Sequence, residues 1–110
     1  MKESNQQRAA RVLKPYRQQL DVLDAQILKL LGKRFGIIRK VAKTKAEYDL
    51  PSFLHDRVEQ VRNNRVAVGK KYGINPQFVY ALYSAIIYQS CGIEDEIKTK
   101  LLKKRSKKRK

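Results

Sequence analysis

From Tyr16 onward, apolar side chains return in steps of three and four: Tyr16, Leu20, Leu23, Ile27, Leu30 and Leu31, then Ile38 and Val41. That rhythm is the period of an α-helix. It continues to near Tyr48, and "DLP" stops it at Pro51, because the residue before a proline is pushed out of the helical region. Pro15 suits the first turn, where a missing N–H costs nothing. A helix of about 33 residues is about 50 Å long at about 1.5 Å per residue. A compact domain of 110 residues has a radius of gyration of only about 13 Å. Two short helices after such a rod cannot cover its whole apolar stripe, whereas a second copy of the chain can. The sequence therefore predicts an intertwined helical dimer.

A second helix is expected to start near Pro51 and to stop at "KYGIN", where Gly73 can take the left-handed cap. A third opens on "NPQF", with Asn75 as N-cap and Pro76 at the first helical position. Its stripe is Val79, Leu82, Ile86, Ser90, Ile93 and Ile97. No stretch alternates with period two for long, and no internal repeat is present. The fold class is all-α, with one long and two shorter helices. The folded part spans residues 13–97, between a flexible segment 1–12 and a basic, disordered tail 98–110.

Lys and Arg number 26 against 10 acidic residues, a net charge of +16. Nine of the basic residues and no acidic one fall in "KTKLLKKRSKKRK", residues 98–110, so the rest of the chain carries +7. A terminal run of this kind reads as a solvated tail, with non-specific contact to nucleic acid or an anionic membrane as its other use. A basic helical module that binds nucleic acid is thus the alternative from another functional class. The tail has no interleaved aromatics on which bases could stack, which weakens that alternative. Cys91 is the single cysteine, which excludes an internal disulfide and a cysteine-based zinc site. No apolar run approaches the roughly 20 residues that cross a bilayer, and "MKESNQQRAARV" does not read as a signal peptide. A cytoplasmic protein is expected.

Extended past Leu30, the stripe calls for apolar residues near 34, 38, 41 and 45. Arg34 and Lys45 occupy two of those places. They lie three helical turns apart on one face, about 16 Å along the axis. A buried cation without a partner costs several kcal/mol, so something negative must meet each one. Internal salt bridges, with Asp24 and Glu94 as the nearest candidates by register, are the plain explanation; stems reaching out to water are another. An anionic small molecule between helices is the sharper one. Ser90 and Glu94 interrupt the third helix's apolar run four residues apart, on one face. Arg57 sits beside Val58 and Val61 in "HDRVEQV". Arg17 is about 100° off the cation stripe at 100° per residue, so it serves that pocket only from a partner subunit. His55 reads as a loop residue and Cys91 as a core-facing filler.

Over residues 13–97 the chain resembles the all-helical class of chorismate mutases. The resemblance rests on "YRQQLDVLDAQILKLLGKRFGIIRKVAKTK", "LPSFLHDRVEQV" and "GINPQFVYALYSAIIYQS". It implies an isomerase of aromatic amino acid biosynthesis that converts chorismate to prephenate by a [3,3]-sigmatropic (Claisen) rearrangement, in a homodimer with two shared sites. Carried over by position, it implies that Arg34, Arg17 of the other subunit and Arg57 hold the substrate's carboxylates. Ser90 touches a carboxylate, Lys45 donates to the ether oxygen of the breaking bond, and Glu94 is the second donor there. Such a step needs no nucleophile, metal or cofactor. It needs a flexible dianion folded into a chair, with donors where negative charge builds.

Two positions depart from the family pattern. The Glu that usually follows the second-helix Arg and takes the 4-hydroxyl is Val58 here, and the acidic residue three positions before that Arg is Leu54. The pairing of "DRV" with "SCGIED" resembles the 4-amino-4-deoxychorismate mutases of antibiotic pathways. It is also similar to the isochorismate-pyruvate lyases, although those have a shorter loop before the Arg. Ser90 favours the ordinary mutase.

Overall fold

The computed structural model describes residues 2–108, with side chains as far as Lys107. Met1 of the expected flexible segment, and Arg109 and Lys110 of the expected tail, lie outside the described residues. Among those described, the chain is all-α, with α1 over Asn5–Val12, α2 over Lys14–Glu47, α3 over His55–Lys71 and α4 over Pro76–Lys108. There are four helices rather than three, and the extra one is α1. No helix among the described residues is long and apolar enough to cross a membrane.

Local chemistry accounts for α1. Ser4 caps it reciprocally: its Oγ accepts from the Gln7 N–H at 3.1 Å, and the Gln7 Oε1 accepts from the Ser4 N–H at 2.9 Å. Arg11 then donates to both carboxylate oxygens of Glu3, at 3.1 and 3.0 Å. Pro15 explains the break between α1 and α2, because it has no N–H to return to the carbonyl of Arg11. Leu13 bridges the gap, donating to the Ala9 carbonyl and accepting from the Arg17 N–H, each at 2.9 Å.

The long helix α2 ends four residues before Pro51. Asp49 takes a left-handed conformation, φ 54°, and is the described non-glycine residue with positive φ. The Leu50 N–H then closes on the Lys45 carbonyl at 2.8 Å, and the Asp49 N–H approaches the Ala46 carbonyl at 3.5 Å. That pattern is a Schellman cap, built with Asp where Gly is usual. Gly73, φ 71°, builds the expected one at the end of α3, with the Ile74 N–H on the Gly69 carbonyl at 3.0 Å. Helix α3 starts at His55, later than the expected start near Pro51, and Leu54 stands at its N-cap without a side-chain bond. The start of α4 is as expected: Asn75 Oδ1 accepts from the Gln77 and Phe78 N–H groups at 2.8 and 3.1 Å.

The chain divides into two compact units, residues 1–34 and 35–110, with α2 contributing to both. In the first, Tyr16, Leu20, Leu23, Ile27 and Leu30 are between 52% and 64% exposed, so the stripe that defines α2 lies bare in the single chain. In the second, Val58 and Val61 of α3 pack against Ile87 of α4, with Tyr83 and Cys91 beside them. Val79, Ile86 and Ser90 of the expected α4 stripe are buried, but Leu82 is exposed, and Ile87 takes a core place instead. Helix α4 continues through the basic segment as far as Lys108.

Near the turn that joins α3 to α4, Gly69 faces Val79. A Cβ at Gly69 would stand 2.7 Å from Val79 Cγ2. Val79 is buried and stiff at χ1, so it yields little. Overpacking of this kind costs about 1–3 kcal/mol, against a helix-propensity gain of about 1 kcal/mol for replacing Gly by Ala. Gly69→Ala is therefore expected to lower Tm. In a Val79→Ala background the clash is gone and the same change should be neutral or stabilising. Thermal denaturation of the four proteins of this cycle measures the coupling.

Candidate active site

The second unit brings together three parts of the chain that carry polar side chains into buried surroundings. The last turn of α2 supplies Lys45, the turn after it supplies Ser52, and α4 supplies Ser90 and Glu94. Lys45 Nζ lies 2.6 Å from Glu94 Oε1, with the two side chains 14% and 4% exposed. It also donates to the Ser52 carbonyl at 2.8 Å. Glu94 Oε1 has no donor aligned on it as a hydrogen bond, so the contact is an ion pair at short range with a lone pair left over. Ser90, one turn before Glu94, is buried, and its Oγ donates to the Ile86 carbonyl at 2.8 Å. That bond along its own helix is common for a helical serine.

Beyond the cap at Leu50, side chains rather than backbone pairing hold the turn. Among the described residues no hydrogen bond between backbone groups involves residues 51–53. Lys98 Nζ donates to the Leu50 carbonyl at 2.6 Å and approaches the Ser52 Oγ at 3.4 Å. The Cys91 thiol makes a weak contact with the Ser52 carbonyl at 3.9 Å. Burial pushes the Cys91 thiol up from its ordinary pKa, and the negative charge of Glu94 adds to that, with Lys45 opposing. This thiol is correspondingly poor as a nucleophile, in keeping with a filler.

Of the residues singled out from the sequence, Lys45, Ser90 and Glu94 are thus gathered in the second unit. Glu94 was one of two acidic candidates to meet the cation stripe, and it meets Lys45. Val58 is buried in the apolar cluster against Val61 and Ile87. Leu54 is half-buried at the N-cap of α3, and Arg57 is exposed, donating to Gln60 Oε1 at 2.8 Å. Arg17 and Arg34 belong to the first unit, Arg17 exposed and Arg34 half-buried.

Two groups went unread in the sequence. The Ser52 carbonyl is a main-chain atom, which carries no residue signal. Lys98 was grouped with the tail. Its place four residues after Glu94 on one helix face was the cue that could have separated it.

The arrangement has a definite chemical capacity. It holds an ammonium group in a largely enclosed place, fixed from two sides, ready to donate to an oxygen that gains negative charge.

Comparison with known proteins identifies the family. The family model for chorismate mutase type II matches residues 16–95. The chain is 32% identical over 80 residues to a 4-amino-4-deoxychorismate mutase of Streptomyces pristinaespiralis, covering 73% of this chain and 62% of that protein. It is 28% identical over 83 residues to a 4-amino-4-deoxychorismate mutase of Streptomyces venezuelae, covering 76% of this chain and 81% of the relative. A bifunctional chorismate mutase/prephenate dehydratase of Buchnera aphidicola is 28% identical over 89 residues, 81% of this chain but 22% of that protein. No solved structure matches the chain.

Proposed function

The chain belongs to the chorismate mutase type II family, and from that premise we propose that it rearranges chorismate to prephenate, as a homodimer with shared sites. The observation that carries this reading is the largely enclosed ammonium of Lys45, held by Glu94 and the Ser52 carbonyl. In the rearrangement the ether C–O bond breaks as a C–C bond forms across a six-membered chair. No proton moves and no covalent enzyme intermediate arises. Negative charge builds on the ether oxygen, and Lys45 stabilises it there. Arg34, Arg57 and Arg17 of the second subunit hold the two carboxylates, which keeps the flexible dianion in its reactive fold. Ser90 adds a hydroxyl to one of them.

A dimer is supported by the bare stripe on the first unit. Five large apolar residues more than half exposed along one helix are unusual for a lone chain. At about 25 cal/mol per Å² of apolar surface removed from water, covering them is a strong drive to associate.

A second reading concerns the 4-substituent. Neither Leu54 nor Val58 can accept a hydrogen bond from it, and Val58 is occupied with the α3–α4 core. Two of the relatives are named for the 4-amino-4-deoxy substrate. The 4-amino analogue, rearranged in the same way, is therefore the alternative substrate. Steady-state kinetics on chorismate, 4-amino-4-deoxychorismate and isochorismate, side by side, tests both readings. Turnover of chorismate with the highest kcat/KM supports the first, preference for the amino analogue the second, and no rearrangement of either removes the assignment.

The resemblance makes Glu94 a second donor to the same ether oxygen; the carboxylate that pairs with Lys45 cannot donate, whereas its acid form or an amide can. Glu94→Gln should remain within about tenfold of wild type or exceed it, whereas Glu94→Ala should lose about a hundredfold or more in kcat, the usual scale for a missing donor at developing charge. Equal losses in the two variants would separate Glu94 from the ether oxygen.

A further inference from the structure

We propose that Lys98 is a positioning residue for Lys45, acting through the turn between α2 and α3; this rests on the reaction assigned above. The observations form one connected chain. Lys98 lies one helical turn beyond Glu94 on α4 and is half-buried. Its ammonium donates to the Leu50 carbonyl at 2.6 Å and approaches the Ser52 Oγ at 3.4 Å. The carbonyl of that same Ser52 accepts from Lys45 Nζ at 2.8 Å. Lys45 in turn ties the beginning of the turn through its own carbonyl, which accepts from the Leu50 N–H at 2.8 Å.

The turn has no backbone pairing of its own at residues 51–53 among those described, and Pro51 has no N–H to offer. Two ammonium groups hold it instead, Lys98 at the Leu50 carbonyl just before the unpaired stretch and Lys45 at the Ser52 carbonyl in its middle, where the Cys91 thiol adds a weak contact. Glu94 fixes one side of Lys45 from the rigid helix α4. The other side is fixed by a main-chain oxygen that would drift if Lys98 released Leu50. Lys98 thus anchors the movable wall of the site to the same helix that carries Glu94 and Ser90.

A charge run of this composition ordinarily acts as a diffuse cation cloud, which would raise substrate capture and nothing more. Anchoring makes a different demand. Misplacement of a catalytic group by about 1 Å can cost about a hundredfold in rate. Removing the anchor should therefore appear in kcat. Removing one charge from the cloud should appear in kcat/KM at low salt and vanish as the charges are screened.

The experiment compares Lys98→Met, Lys98→Arg and Lys100→Met with wild type on chorismate and its 4-amino analogue, at low and high ionic strength. Lys98→Met is expected to lose about ten- to a hundredfold in kcat, with KM changed less than about threefold and the loss independent of salt. Lys98→Arg keeps a long cationic donor and should retain most of kcat. Lys100→Met, an exposed neighbour with the same charge, should match wild type in kcat. If Lys98→Met does not fold, Lys98→Gln, which keeps a shorter uncharged donor, is measured in its place, with a kcat loss again expected. A kcat for the Lys98 variant equal to that of Lys100→Met, or a loss that disappears at high salt, overturns the positioning role while wild-type turnover leaves the reaction standing. Absence of turnover in wild type on both substrates instead overturns the reaction itself.

Discussion

Lys45→Ala should reduce kcat/KM by at least about two to three powers of ten, the scale on which a preorganised donor at developing charge acts. It should also destabilise the protein, because the structure pairs this ammonium with a carboxylate only 4% exposed. Breaking a buried pair from one side leaves an uncompensated charge and costs about 3–5 kcal/mol. The two effects separate in a double variant. Adding Glu94→Gln to Lys45→Ala removes the stranded carboxylate, so Tm should recover much of its loss while turnover stays absent. Thermal denaturation and steady-state kinetics on the same three variants read both quantities. Substantial activity in Lys45→Ala would remove Lys45 from the reaction. A Tm unchanged in Lys45→Ala would show that the ion pair contributes nothing to the fold.

Complementation is the second large effect. Arg17→Ala and Arg34→Ala homodimers should each be inactive, because in the proposed dimer every site draws one of these residues from each subunit. Refolded together, they form mixed dimers in which one site carries both changes and the other carries neither. Random pairing makes about half of all dimers mixed, each with one intact site of two, so activity should return to about one quarter of wild type. The measurement is the initial rate of the mixture, with mass spectrometry of intact dimers to count the mixed ones. Mixed dimers without activity would mean that Arg17 and Arg34 serve the same subunit's site.

Much of the fold was legible because the features that fix it are local. The steps of three and four from Tyr16, the Asn75–Pro76 start and the Gly73 stop each act through the backbone of a few residues, and each is where the sequence pointed. The start of α1 was legible in principle, since Ser4 and Gln7 stand at capping-box spacing. Pro15 drew attention to the later start and hid the earlier one. The delayed start of α3 was not legible, because Leu54 stands at its N-cap without a side-chain bond and no capping residue marks the place.

In the site, Lys45 and Glu94 were legible because each breaks an apolar pattern, and a broken pattern needs a physical reason. Lys98 broke nothing. In a run of like charges, each lysine is equivalent until a particular carbonyl comes within reach of one of them, and the Leu50 carbonyl is placed by tertiary structure. Val58 was singled out as a departure from the family pattern, and its packing against Ile87 of α4 was not legible, because that contact depends on tertiary structure.

The bond from Lys45 to residue 52 goes to a carbonyl oxygen, and every amino acid supplies one. What this contact specifies is therefore the length of chain between positions 45 and 52, with the identity of residue 52 left open. Substitution drift at 52 is tolerated as far as Lys45 is concerned. A single inserted or deleted residue in the turn is not, because it shifts the carbonyl by about 3.8 Å, the spacing of successive Cα atoms and more than the whole length of the bond. In this chain the bond leaves the letters of the turn free at residue 52, but scarcely its count.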